Sequence, residues 1–159
     1  MNNTQWRSSM TKDELQVILE KHKLWLDGKE GGVRADLEDA NLEGAYLEGA
    51  NLRGANLKGA NLSGACLESA NLRYANLWDA NLSFANLEDA NLEDAILMGA
   101  NLNLADLKNA NLEDAYLEDA TLMGANLWDA NLRGANLRGV DLENPSLRGA
   151  NLRGEKHND

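Results

Sequence analysis

The segment 125–139 reads ANLWDANLRGANLRG, which is three copies of a five-residue pattern centred on leucine. From Leu37 to Leu152 a leucine recurs at every fifth position, twenty-four times without a gap. Alanine stands two residues before twenty-two of these leucines, and asparagine directly precedes fifteen of them. Because this register covers most of the chain, it decides the fold.

A period of five fits neither regular secondary structure. On an α-helix, leucines five residues apart are separated by about 140° and spread over the whole surface. On a straight strand an odd period sends alternate leucines to opposite faces. The pattern becomes consistent if each pentad is a short extended segment followed by a corner. Alanine and leucine then point inward, the residue between them points outward, and the last two residues turn the chain.

Four such segments close a square coil of twenty residues, a period typical of solenoids. The repeats predict an all-β solenoid, a quadrilateral parallel β-helix of about six coils and roughly 29 Å in length. Crossover connections between parallel segments favour right-handed winding. We expect a dry interior of alanine and leucine without a cofactor cavity. Backbone hydrogen bonds between coils, and ladders of stacked asparagine amides, should contribute much of the stability.

The runs ANLRGANLKGANLSG at 50–64 and ANLWDANLRGANLRG at 125–139 resemble the pentapeptide-repeat family. This resemblance covers residues 35–154 and implies a right-handed quadrilateral β-helix, with alanine and leucine facing inward. It identifies the fold but gives little information about function, because a fold does not by itself define an activity.

The segment 11–34 predicts a capping helix and a glycine-rich link. Thr11 and Glu14 form a capping-box pattern, and the helix should run from about Lys12 to Asp27 and end at Gly28. One face carries Leu15, Ile18, Leu19, His22 and Leu26, with Trp25 at its edge. We expect this helix to cover the open end of the first coil, with His22 as a packed residue. A partner-binding helix is the alternative.

The two ends of the chain differ from the repeats. Residues 1–10 predict a disordered tail, and residues 155–159 a polar tail that contains His157. In the last repeats, Val140 and Pro145 replace the alanine, and no helix is predicted to cover this end. Two such ends could meet about a two-fold axis, which predicts a C-terminal homodimer.

The composition indicates an acidic protein. Its net charge is −11, and residues 60–130 carry twelve acidic groups against Arg73 and Lys108. Direct nucleic-acid binding needs the opposite charge. Neither a membrane span nor a secretory signal is evident, and the single Cys66 excludes an internal disulfide. We expect a cytoplasmic location and a passive surface thiol.

Stacking residues twenty apart defines four faces. The first contains Leu37 and every twentieth residue after it, and the second, third and fourth begin at Leu42, Leu47 and Leu52. On two adjacent faces this register gathers large apolar side chains into a candidate protein-contact surface, the apolar patch. It consists of Trp78, Phe84, Ile96, Met98, Leu104, Tyr116 and Met123. The alternative is that these side chains only shield the corners from water.

The same register gathers carboxylates into the acidic stripe. It consists of Glu88, Asp89, Glu93, Asp94, Glu113, Asp114, Glu118 and Asp119, with Arg73 below and Arg133 above. Like charges at coil spacing repel unless arginines or salt screen them. Catalysis or cation binding is not expected on a convex wall without a pocket. The sequence also has no nucleophile–base pair, phosphate loop or metal-spaced cluster, so we expect no enzyme, cofactor or metal.

Two functions remain. The first is a rigid scaffold whose walls bind another protein, with the apolar patch as the contact. The second is DNA mimicry, because the resemblance includes acidic dimeric quinolone-resistance proteins that occupy the DNA site of DNA gyrase or topoisomerase IV. This chain lacks the inserted loop that some of those proteins use, and its length matches only about eight base pairs. No functional residue is transferred from that subgroup.

Overall fold

The computed structural model describes residues 10–143 and 145–156. The predicted disordered tail 1–10 therefore lies outside the described residues except for Met10. The predicted polar tail is described only at residues 155–156.

The N-terminal part contains helix α1, Lys12–Leu26. Thr11 is its N-cap, and the predicted capping box is present: Glu14 donates its N–H to Thr11 Oγ1, and the Glu14 carboxylate accepts the Thr11 N–H at 2.9 Å. The helix ends one residue before the predicted end because Asp27 takes the C-cap position. Gly28 follows with a φ of 64°, a left-handed conformation that glycine adopts without strain.

The repeat region is built from parallel single-residue bridges between positions twenty residues apart. They begin with Asp36 and Asn56 and end with Asn136 and Lys156. Except in the pentad of Leu142, the outward residue before each leucine forms the bridge, and a corner follows two residues later. The predicted extended segment is thus reduced to one bridging residue, because only three residues separate successive corners. One coil takes twenty residues, as the sequence predicts.

Most pentads are joined to the next coil by a recurring set of backbone hydrogen bonds. Leu37 N–H donates to Asn56 O at 2.7 Å, Asp39 N–H donates to Lys58 O at 2.8 Å, and Asn56 N–H donates to Ala35 O at 3.0 Å. A fourth bond, from Ala40 N–H to Leu37 O at 3.1 Å, closes the corner as a β-turn. The coils therefore hold one another through nearest-neighbour contacts.

The interior is uniform along the chain. Between Ala55 and Leu137, every alanine and leucine of the inward columns is at most 2% exposed. Leu15, Ile18 and Leu19 of α1 pack against the same core at its N-terminal end. The helix therefore packs over the N-terminal end of this core.

The C-terminal end is less regular. The bridge pattern is interrupted between Asn136 and Ser146, where Val140 and Pro145 replace the repeat alanine. Leu142, Leu147 and Leu152 are only partly buried, although the leucines of the preceding coils are buried. The leucine interior is therefore closed at one end and partly open at the other.

Candidate protein-contact surface

The walls carry ladders of asparagine amides. Asn81 Nδ2 donates to Asn61 Oδ1 at 3.1 Å, and Asn81 Oδ1 accepts from Asn101 Nδ2 at 3.1 Å. The same oxygen also accepts the backbone N–H of Ser83 at 3.2 Å, which closes a side-chain turn before the corner. The amides of the wall are thus hydrogen-bonded to one another. A partner that covers them displaces fewer hydrogen bonds to water than it would at unpaired amides, so the desolvation cost is smaller.

The corners force the backbone into a left-handed conformation. The last residue of every described pentad from Asp39 to Gly154 has a positive φ, between 54° and 75°. Glycine, aspartate and asparagine tolerate this region, whereas a bulky side chain there is unusual. Three corners nevertheless carry bulky side chains: Tyr74 at 61°, Phe84 at 60° and Leu104 at 60°. Such outliers cost about 1–3 kcal/mol each and occur most often at functional sites.

Side chains at the corners also lean over the coil that follows. A methyl group on Gly99 would collide with the Asp79 carboxylate, and a methyl group on Gly134 would collide with that of Asp114. Gly124 is limited in the same way by the Leu104 side chain. A glycine at a corner therefore often reflects a larger residue one coil earlier.

The seven residues of the apolar patch lie in two clusters. One lies on the first face and contains Ile96, Tyr116, Met98 and Trp78; the other lies on the second face at and beside the corner and contains Phe84, Leu104 and Met123. The ladder of Asn81, Asn101 and Thr121 runs between them. The predicted patch is thus two separate rows.

The two rows differ in exposure and in their partners. Phe84, Leu104 and Met123 are 64%, 51% and 61% exposed, while Trp78 and Tyr116 are 46% and 49% exposed and Ile96 and Met98 are half-buried. Lys58 Nζ lies 5.3 Å from the centre of the Trp78 ring, so a cation already occupies one face of this aromatic side chain. The row on the second face is therefore the more accessible apolar surface.

The second face carries no charge over four successive coils. Its segments 60–64, 80–84, 100–104 and 120–124 contain no Asp, Glu, Lys or Arg, although these residues make up 26% of the chain. We call these four segments the uncharged wall. Its polar groups bond to one another: Ser63 and Ser83 share a hydrogen bond of 3.2 Å, and Asn103 Oδ1 accepts the Met123 N–H at 2.8 Å.

The acidic stripe winds across the third, fourth and first faces, and its glutamates are paired. The pairs are Glu88 with Lys108 at 2.6 Å, Glu93 with Arg73 at 2.7 Å, Glu113 with Arg133, and Glu118 with Arg138 at 3.4 Å. Asp94 also lies 3.8 Å from Arg73. Hydrogen bonds from Arg133 and Asn131 lower the pKa of Glu113, and the hydrogen bond and charge of Glu88 raise the pKa of Lys108. Basic neighbours thus neutralise much of the stripe.

Three exposed aromatic residues of the repeats were not part of the predicted patch. Arg73 lies 4.6 Å from the Tyr74 ring centre, Arg148 lies 5.0 Å from that of Trp128, and Lys12 lies 5.4 Å from that of Tyr46. The twenty-residue register contains the signal for Trp128, because it stacks Arg148 directly on this position. The contact between Lys12 and Tyr46 crosses from α1 to the repeats, so no periodicity could predict it.

A groove of about 500 Å³ lies between α1 and the first coil. Leu15 and Leu19 line it from the helix, and Leu42 and Tyr46 line it from the repeats.

No group of three or more His, Cys, Asp or Glu side chains in the described part of the chain is arranged to hold a metal ion. Within residues 10–143 and 145–156, no helix is long and apolar enough to cross a membrane.

Parallel bridges, an aliphatic interior and left-handed corners define the class of β-solenoid repeat proteins. The repeats match the family profile described as pentapeptide repeats, in eight copies over residues 35–73, 65–103, 75–114, 100–139 and 135–154. The chain belongs to the pentapeptide-repeat family, whose known members are right-handed quadrilateral β-helices. The resemblance noted in the sequence is confirmed.

Among solved structures, the chain is similar to HetL, a pentapeptide repeat protein involved in heterocyst differentiation regulation in the cyanobacterium Nostoc sp. strain PCC 7120. The identity is 38% and the TM-score 0.76, with 78% of this chain and 58% of HetL covered. This chain thus spans less than two thirds of the HetL chain.

Two further structures share the repeats. The protein Rfr23 from the cyanobacterium Cyanothece 51142 is 33% identical, with a TM-score of 0.46 over 87% of this chain and 92% of Rfr23. QnrB1, a plasmid-mediated fluoroquinolone resistance protein, is 19% identical, with a TM-score of 0.43 over 78% of this chain and 82% of QnrB1. No functionally curated protein matches the sequence.

Proposed function

We propose that this protein is a non-enzymatic scaffold, a rigid rod of about six coils that binds another protein through the uncharged wall. The observation that carries this proposal is the exposed row of Phe84, Leu104 and Met123 on the only stretch of the second face without charge. We take the protein to act in the cytoplasm without a cofactor, and without binding nucleic acid or a membrane directly.

The chemistry of the wall favours an uncharged partner surface. A charged partner would lose hydration at this wall without gaining an ion pair, which is unfavourable. An apolar partner side chain would instead remove Phe84 and Leu104 from water, at about 25 cal/mol per Å² of apolar area. The left-handed backbone at both residues adds a second reason, because glycine would fit these corners with less strain.

Glycine substitution separates binding from folding. Replacing Phe84 and Leu104 together by glycine removes two of the three side chains of the exposed row and relieves the strained corners, so the fold should be retained. We expect proteins captured by the wild-type chain from a native-host lysate to be lost by the F84G/L104G variant.

The matched control is Tyr74→Gly on the fourth face. It changes another bulky left-handed corner residue to glycine and leaves the uncharged wall intact. This variant should retain the wild-type partners. Retention of the same partners by F84G/L104G would count against the wall as the contact surface.

The acidity of the central coils favours a second candidate, a DNA-mimicking modulator of DNA gyrase or topoisomerase IV. Residues 60–130 carry twelve acidic groups against two basic ones. The ion pairs of the stripe weigh against this candidate, because paired glutamates imitate phosphate poorly. A gyrase supercoiling assay with and without quinolone tests it, and absence of any effect at micromolar protein would remove it.

The partly open C-terminal end supports the proposal of a C-terminal homodimer. Leu142, Leu147 and Leu152 are incompletely buried, and a second copy related by two-fold symmetry would cover them. Light scattering at high micromolar concentration should give the dimer mass. A monomer mass under these conditions would contradict this proposal.

A further inference from the structure

His22 connects helix α1 to the first residue of the repeats. Its side chain is fully buried, and its Nδ1 accepts the backbone N–H of Ala35 at 3.0 Å. The ring stacks on Trp25, with 5.4 Å between the ring centres. In addition, Val33 N–H donates to Lys21 O at 3.0 Å, so the chain between α1 and the repeats is held at two neighbouring points.

This hydrogen bond fixes the protonation state of the ring. A backbone N–H can only donate, so Nδ1 must accept and the ring must be neutral, with its proton on Nε2. Protonation would turn Nδ1 into a donor that faces another donor. It would also place a positive charge in a buried site, which is costly without a partner. None of the described residues forms an ion pair with His22.

We propose that His22 is a pH-sensitive latch, which holds α1 over the first coil when neutral and releases the helix when protonated. Release breaks the hydrogen bond to Ala35 and uncovers Leu37 and Leu42, which are at most 3% exposed in the closed state. The N-terminal end of the solenoid then resembles its partly open C-terminal end.

The charge near the His22 ring disfavours its protonation in the closed state, as the latch requires. Arg34, in the link between α1 and the repeats, is the cation that acts on the ring, and Lys21 and Lys23 are exposed neighbours of His22 on α1. From the first coil, the backbone of Arg53 faces the ring. Burial, reinforced by the charge of Arg34, lowers the pKa of His22, and the nearby backbone of Arg53 opposes this only in part.

The sign of the pH effect follows from the lowered pKa. The released helix exposes His22 to water, where its pKa is about 6.5, whereas the closed state binds a proton less readily. Closure is therefore fully favoured above about pH 6.5 and weakens as the pH falls toward the pKa of the closed state. Over that window the opening equilibrium constant rises roughly tenfold for each pH unit.

Hydrogen exchange measured by NMR tests the latch in the full chain. Protection factors, which remove the intrinsic pH dependence of exchange, are compared between about pH 7.5 and about pH 5. We expect the protection factors of Ala35 and of the α1 amides to fall at least tenfold, while those of Leu82 and Leu92 in the central coils stay constant. The His22 ring, followed by its own NMR signals, should titrate below the ordinary histidine pKa of about 6.5.

Two variants make the result specific. In His22→Asn, Oδ1 can accept the Ala35 N–H in place of Nδ1 and does not titrate, so protection should no longer depend on pH. His157→Asn removes the only other histidine and should behave as wild type. Constant protection of Ala35 in the wild type down to about pH 5, or an equal fall in His22→Asn, would overturn the latch. Because the wild-type measurement stands alone, poor folding of a variant does not prevent the test.

Discussion

The second and fourth faces have the same interior and opposite exteriors. Leu82 and Leu92, which point inward from these two faces, are both fully buried. Outside, the second face carries four uncharged segments, while the fourth stacks Arg73 on Glu93 and Glu113 on Arg133. The packing of the interior is therefore the same whether the wall carries charged or uncharged side chains on its outer surface. Because the fold is encoded in the inward columns, the proposed binding specificity is assigned to the differences between walls.

The largest expected effect is the loss of stability on truncating a buried leucine, which should be the same on the second and fourth faces. Leu82→Ala and Leu92→Ala should each lower the free energy of unfolding by about 2–5 kcal/mol, because each leaves a cavity in a fully buried column. Urea unfolding of the two variants should give the same loss within about 0.5 kcal/mol. A markedly smaller loss on one face would show that the interior is not uniform.

The second prediction concerns the corners of the two faces. Gly64→Ala, on the second face, meets open space and should cost about 1–2 kcal/mol for the left-handed backbone alone. Gly134→Ala, on the fourth face, also collides with the Asp114 carboxylate and should cost about 0.5–1.5 kcal/mol more. Adding Asp114→Gly should remove this excess in a double-mutant cycle. If the excess persists, the collision is not its cause.

The third prediction compares the amide ladders. Asn81 on the second face takes part in three hydrogen bonds, two with neighbouring asparagines and one with the Ser83 N–H. Asn91 on the fourth face accepts the Glu93 N–H at 3.0 Å, its one side-chain hydrogen bond among the described residues. Asn81→Ala should therefore destabilise more than Asn91→Ala, by about 1 kcal/mol in thermal or urea unfolding. Equal losses would mean that the ladder contributes nothing measurable.

The smallest effect is expected from the exposed ion pairs. Arg133→Ala removes the partner of Glu113, and its effect should fall below that of Asn81→Ala and vanish in about 0.5 M salt. Since Arg133 lowers the pKa of Glu113, the pair stabilises above the unfolded pKa, and this stabilisation fades as the pH falls below about 4. NMR titration should show the Glu113 pKa rising in the variant. An unchanged pKa would contradict the pairing.

The inward half of the molecule was predictable from the sequence. The period of five fixes which residues point inward, and the twenty-residue register fixes which residues stack, so Leu37 through Leu137 and the asparagine ladders follow directly. The helix was also predictable, because the capping box of Thr11 and Glu14 and the stop at Gly28 are local signals. The left-handed corners follow from glycine at positions such as Gly54 and Gly59.

The outward half was predictable only in part. The register brings Phe84 and Leu104 together and places the Asn81 ladder between them and Trp78, but it does not give the exposure of these side chains. Exposure and ring contacts depend on side-chain rotamers, as at Tyr74, which packs beside Arg73 from a corner position. The bond between His22 and Ala35 joins a helix to a coil, and no repeat period relates these two residues. Local geometry, rather than pattern, decides these contacts.

Site-specific photocrosslinking in native host cells compares the two faces most directly. A photoreactive amino acid replaces either Asn103 on the uncharged wall or Glu113 on the fourth face, both of which follow a buried leucine and are half-buried. We expect a protein adduct from position 103 and none from position 113. An adduct at position 113 alone would contradict the assignment of the uncharged wall as the contact surface.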